Sequence, residues 1–138
     1  KEMFFNFDDW AILDKNRTKF GMSVAKAATS LAKETGAKAF CAYSHTGKAA
    51  IRLTAQRPRI PVYVFSSSIE SVRRMNLVRG AFGVLMRRTP TPDNVFTDME
   101  GMLKAKGFVE SGETVVFTTG IPMHENETTN TIHIRVVP

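Results

Sequence analysis

Four short apolar runs punctuate the chain: Ala37–Tyr43 (AKAFCAY), Pro61–Phe65 (PVYVF), Ala81–Met86 (AFGVLM) and Thr114–Thr119 (TVVFTT). Each has the length of a strand, and a continuously apolar strand is one covered on both faces. Between them, apolar residues recur every three or four positions, the period of a helix. Ser23–Thr35 opens on a capping Ser23, carries Val24, Ala27, Ala28 and Leu31 on one face, and stops at Gly36. A second helical pattern follows Lys48, runs through Ala50, Ile51 and Leu53 to Gln56, and is halted by Pro58. Ser66–Ser68 offers a cap for a third helix, through Ile69, Val72 and Met75 to Gly80, and Asp93 caps a fourth, through Met99, Met102 and Leu103 to Gly107. After Thr119 a polar loop, Gly120–Thr129, leads to Thr131–Val137 (TIHIRVV). There Ile132, Ile134 and Val136 fall on one face and His133 and Arg135 on the other, so this segment reads as an exposed or edge strand. No helix fits between it and the preceding strand, which makes that last pair antiparallel.

Strands alternating with helices predict an α/β fold, here a three-layer α/β/α sandwich around a five-stranded, mostly parallel sheet with an antiparallel last strand. Residues 1–17 follow no period; with Phe4, Phe5, Phe7 and Trp10 they read as an arm or linker that docks on something, and 18–138 as one α/β domain. The chain's 138 residues, 43% hydrophobic and 23% charged, suffice for a single buried core without a disulfide. Cys41 is the only cysteine and sits inside an apolar run, so it reads as a small core residue in a reducing, cytoplasmic setting. No apolar run approaches the ~20 residues that a membrane helix needs, and the first residues do not resemble a signal peptide. A chain beginning at Lys1 reads as a processed protein or a piece of a longer one.

The formal net charge is +6, unevenly spread: Lys48 to Arg88 holds nine bases and one acid, Glu70, and Asp93 to Glu127 holds seven acids and two lysines. A basic half suits an anionic metabolite, a nucleic acid, or simply a solvated helix face with subunit contacts. The arginines sit among apolar core positions and no nucleic-acid-binding motif accompanies them, so neither nucleic acid nor membrane is expected as a partner.

Candidate chemistry is concentrated in one loop. Ligands of open parallel sheets bind beyond the carboxyl ends of the strands, where Ser44–Lys48, Ser66–Ser68 and Gly120–Asn130 fall. Ser44-His45-Thr46-Gly47-Lys48 leads from a strand into a helix N-terminus, whose free amides and dipole favour an anion. Gly47 admits close approach, Ser44 and Thr46 supply hydroxyls, and Lys48 supplies charge. The same residues also make a plain capped helix start, and the pattern is neither a Walker loop nor a dinucleotide fingerprint. His45, His124 and His133 are scattered, no metal-ligand spacing appears, and no catalytic residue is assigned.

Several stretches, taken in order, resemble the C-terminal domain of pyruvate kinase. They are Thr46-Gly47-Lys48 with Ala49-Ala50, Gln56-Arg57-Pro58 before Pro61-Val62, and Arg73-Arg74-Met75-Asn76-Leu77-Val78-Arg79-Gly80-Ala81-Phe82-Gly83-Val84. Gly107, Gly112-Glu113-Thr114-Val115-Val116, Thr119-Gly120 and Thr129-Asn130-Thr131-Ile132 continue the likeness over about residues 20–138. The resemblance implies a regulatory and assembly domain of the glycolytic enzyme that transfers phosphate from phosphoenolpyruvate to ADP. It places the catalytic barrel, with its Mg²⁺ and K⁺, outside this chain, so the chain alone is expected to be inactive and to hold no cofactor. It implies an effector phosphate in the loop Ser44, His45, Thr46, Gly47 and Lys48, and a closing loop that begins Gly120, Ile121, Pro122, Met123 and His124. It also implies two partners: the catalytic domain of the same enzyme, and a second copy paired through Thr131–Val137 in a tetramer. Ala49 stands where fructose 1,6-bisphosphate-activated members have a serine. The closing loop carries Glu125 and Glu127, each of which would repel a second phosphate by about 1 kcal/mol at 4 Å in water. A monophosphate, a nucleotide or no effector all remain open. A free-standing module that binds a phosphorylated metabolite is the alternative form.

Overall fold

The computed structural model describes residues 15–45, 47–86, 91, 93–119 and 131–138. Helix α1 (Lys15–Thr35) leads into β1 (Ala39–Tyr43), followed by α2 (Lys48–Ala55), β2 (Val62–Ser66), α3 (Ile69–Met75), β3 (Ala81–Leu85), α4 (Val95–Ala105), β4 (Thr114–Thr119) and β5 (Thr131–Val136). The strands form one sheet in the order β3-β2-β1-β4-β5. β1 pairs in parallel with β2 and β4, β2 pairs in parallel with β3, and β5 runs antiparallel to β4. This is the mostly parallel five-stranded sheet that the alternating pattern predicts.

The strand order, with right-handed crossovers, decides which face each helix covers. From β1 the chain winds outward through α2, β2 and α3 to β3, then returns past its starting point to lay β4 on the other side of β1. Right-handed crossovers in opposite directions place their helices on opposite faces. Accordingly Ala25, Ala28 and Ala32 of α1, Ala50 and Leu53 of α2 and Met75 of α3 pack with Phe40, Ala42, Val62, Val64 and Val116. Val95, Met99 and Leu103 of α4 pack on the other face with Cys41, Tyr43, Tyr63, Phe65, Val115 and Phe117. Every residue of β1 and β2 is buried, the physical counterpart of their unbroken apolar sequences. Cys41 is among them, its Sγ 3.5 Å from Met99 Sδ and its pKa pushed well up by burial, so it serves as a core residue.

Several predicted boundaries shift. Helix α1 starts at Lys15, so Ser23 is an exposed residue inside it rather than its cap, and the boundary expected after residue 17 falls within the helix. The arm proper, residues 1–14, lies outside the described residues. No strong breaker lies between Lys15 and Ser23, and Gly21 is accommodated because its bare face receives the buried Arg52 of α2, where a Cβ would collide with the guanidinium. Helix α3 ends at Met75 rather than reaching Gly80. The Asn76 side chain accepts from Gly83 N at 2.8 Å, and a tight turn closed by Ala81 N to Val78 O replaces the last helical turn. Asn94, not Asp93, stands at the head of α4, and its Oδ1 accepts from Thr91 N at 3.0 Å.

The edge position expected for the last strand is observed, but its two faces are used in the opposite sense to the simple amphipathic reading. His133 and Arg135 turn toward α4. The His133 ring stacks on Phe96 at 4.5 Å between centroids, and Arg135 Nη2 lies 3.0 Å from Glu100 Oε1, with Nη1 donating to Thr97. The Glu100 side chain is only 7% exposed against 30% for Arg135, and its Oε2 makes no hydrogen bond to a described residue. The apolar positions Ile134 and Val136, on the opposite face, are 40% and 63% exposed.

Two outcomes follow. Arg135→Ala strands a buried carboxylate and should cost about 2 kcal/mol in denaturant unfolding, at the low end for a broken buried pair because Arg135 is partly solvated; Arg135→Lys should recover part of the loss. His133 has its pKa lowered by burial and by Arg135, with Glu100 opposing. The unfolded chain therefore binds a proton first as pH falls, so His133 should make stability decline from about pH 7.5 downward through the ordinary histidine pKa of about 6.5. His133→Phe, which keeps the stack, should flatten that part of the stability–pH curve; an unchanged curve would contradict the assignment.

Candidate functional site

The sheet changes winding direction between β1 and β4, and the carboxyl ends of these two neighbours flank the crevice where ligands of such folds bind. The loop after β1 is Ser44–Gly47, and the loop after β4 begins at Gly120. The topology thus sets the carboxyl ends of β1 and β4 beside one another, and the segment from Gly120 to Asn130 lies outside the described residues.

The first loop is built from inside. Ser44 N donates to Phe65 O at 3.0 Å, continuing the β1–β2 ladder by one residue. Ser44 Oγ then accepts from Gly47 N at 2.8 Å, closing the turn. Gly47 has φ of 90°, in the left-handed region, and a Cβ added there would fall 2.5 Å from Met75 Cε. The backbone conformation therefore favours glycine at this position, and any larger residue would also have to displace the end of the Met75 side chain. From Gly47 the chain enters α2, with Ile51 N donating to Gly47 O. The first turn of α2 carries no acid, so its positive end is not offset by a side chain of its own helix.

Ser71 and Ser66 hold the loop from the neighbouring crossover. Ser71 Oγ donates to His45 O at 2.6 Å, and Ser66 Oγ lies 3.5 Å from the same carbonyl. Ser66 Oγ also accepts from Ser68 N, and Ser68 Oγ caps α3 by accepting from Ser71 N at 3.3 Å. Ser68 is thus the predicted cap. Ser71 was not a candidate in the sequence reading; its signal is a serine on the buried face of α3, where an apolar residue would ordinarily pack.

Of the sequence-predicted residues, Ser44 is buried and committed to bracing the turn, the His45 side chain is exposed with its carbonyl engaged, and Lys48 is half-buried in the first turn of α2. Thr46 lies outside the described residues, as do Gly120, Ile121, Pro122, Met123 and His124. Thr118 adds a feature that the sequence did not flag. It pairs with Ala42 across the winding reversal, is buried, and its Oγ1 makes no hydrogen bond to a described residue. Buried hydroxyls are ordinarily satisfied, which marks the β1–β4 end as a place with spare hydrogen-bonding capacity. Among the described residues, no group of three His, Cys, Asp or Glu side chains is placed to hold a metal ion, and no helix is long and apolar enough to cross a membrane. The described residues here present the acid-free start of α2, Lys48 and the Thr118 hydroxyl, groups of the kind that suit an oxyanion.

The chain is similar in sequence to known pyruvate kinases. The chain is 28% identical over 117 residues to the pyruvate kinase of Staphylococcus haemolyticus, covering 85% of this chain and 19% of that protein. It is 23% identical over 115 residues to the pyruvate kinase of Lactobacillus delbrueckii subsp. bulgaricus and 24% identical over 112 residues to that of Agrobacterium vitis, covering 83% and 81% of this chain and 20% and 23% of those proteins. The chain thus spans about a fifth of the length of the relatives it matches. The family model for the pyruvate kinase alpha/beta domain matches residues 22–135, from the middle of α1 to the end of β5, and the chain belongs to that family.

Proposed function

We propose that this chain is the effector-binding and assembly unit of a pyruvate kinase, and that its loop Ser44–Lys48 cradles the phosphate of a small phosphorylated effector. The transfer of phosphate from phosphoenolpyruvate to ADP, with its Mg²⁺ and K⁺, belongs in this reading to the catalytic part of the enzyme, in the cytoplasm. No step of that reaction is assigned to a residue of this chain. The observation that carries the proposal is the loop's place: a glycine-hinged turn, held by Ser44 and Ser71, feeding an acid-free helix start at the winding reversal. The closing loop from Gly120 through His124 would cover the ligand. Glu125 and Glu127 favour a single phosphate over two. The test is Lys48→Ala, with inorganic phosphate, glucose 6-phosphate and fructose 1,6-bisphosphate as probes in titration calorimetry. A charge-assisted hydrogen bond contributes roughly 1.5–3 kcal/mol, so affinity for the monophosphate should fall at least about tenfold. Unchanged affinity would leave the loop as a helix start and no more.

The assembly half of the proposal rests on β5. It pairs only with β4 among the described strands, so its outer edge offers amides and carbonyls to another chain, and Ile134 and Val136 add exposed apolar surface beside it. A twofold copy pairing edge to edge would join two sheets through an isologous contact. Replacing Ile134 and Val136 with lysine leaves the β4 ladder intact and should shift the chain to monomer in light scattering at rising concentration. A chain monomeric before substitution at millimolar concentration would sink this part.

A further inference from the structure

The opposite end of the sheet holds a second concavity. A cavity of about 410 Å³ lies at the amino ends of β1 and β2, between the C-terminal ends of α1 and α2. Its floor includes Ala37, Phe40 and Ile60, and its rim carries Lys33, Arg57 and Arg59 with no acid among the lining residues. Two helix C-termini point here, each worth roughly half a negative charge, so three cations leave an excess of about two positive charges. None of the three takes part in an ion pair with a described residue.

Arg57 is also the one described non-glycine residue with positive φ, at 53°. It precedes Pro58, and a residue before proline is ordinarily driven to extended backbone. A glycine would relax this position, so the arginine is held at a cost in backbone strain of the kind that gathers at functional sites. An apolar floor of ring size, a wholly cationic rim and a strained arginine on that rim are the makings of a site for an amphipathic anion.

We propose that this cavity is a second ligand site, taking a compact organic anion whose apolar body lies against Pro58 and Ile60 and whose phosphate or carboxylate faces Lys33, Arg57 and Arg59. It is independent of the Ser44–Lys48 loop, which opens at the other end of β1.

The experiment titrates the full chain with 1-naphthyl phosphate, 1-naphthoate and uncharged 1-naphthol, following binding by calorimetry. At least one of the two anions should bind ten or more times tighter than naphthol, and which one does so distinguishes phosphate from carboxylate. Arg57→Gly should weaken that binding at least fivefold while leaving the melting temperature unchanged or raised, because it removes the guanidinium and the strain together. Lys33→Ala, which leaves the strained backbone untouched, should show the same loss, and it decides the matter if Arg57→Gly melts lower. Equal affinity for naphthol and both anions, no binding at millimolar probe, or an affinity unmoved by Lys33→Ala would each overturn the inference.

Discussion

The structure depends on the placement of β1 in the middle of its sheet, hydrogen-bonded in parallel on both sides and buried on both faces. Because the chain winds away from β1 in one direction and returns to its other side, the helices divide between the two faces and two separate cores meet across one strand. The same reversal opens the crevice at the carboxyl end of β1, so the element with the least freedom in the fold positions the loop with the most chemistry.

The division is unequal. Helices α1, α2 and α3 cover one face, where the alanines of α1 pack against the sheet and the bare surface of Gly21 receives Arg52 of α2. Among the described helices α4 alone covers the other, and it draws polar residues beneath it: Glu100 holds Arg135, and Phe96 stacks on His133. The polar side of β5 is consumed in this packing; on its apolar side Ile132 packs against the core beneath α1, while Ile134 and Val136 are left exposed. A strand with that inversion is costly as a free surface and suited to an interface.

The chain belongs to the pyruvate kinase alpha/beta domain family and spans about a fifth of its relatives' length. Around the loop after β1 the described serine hydroxyls hold backbone groups. Two serines, Ser66 of β2 and Ser71 of α3, meet the loop after β1 at the His45 carbonyl, and Ser68 between them caps α3. The two ends of β1 then present contrasting surfaces: a glycine-hinged helix start with backbone amides at one end, and an apolar hollow ringed by cations at the other.

Much of this was legible in the sequence for a simple reason: strands buried on both faces must be continuously apolar, and helices between parallel strands must show a 3.6-residue period. β1 through β4, their order along the chain, the antiparallel last strand and the loop at Ser44–Lys48 all follow from those local patterns. What local pattern does not encode is which surfaces meet. Nothing near Ser71 in sequence points to the carbonyl of His45, 26 residues away. The start of α1 is hidden because Gly21 looks like a weak point until Arg52 fills it. The polar face of β5 reads as solvent-facing until α4 supplies Glu100 and Phe96. Alternation along a strand states that two faces differ, whereas the side on which a helix lands is decided by the handedness of a crossover elsewhere in the chain, and only the assembled fold carries that information.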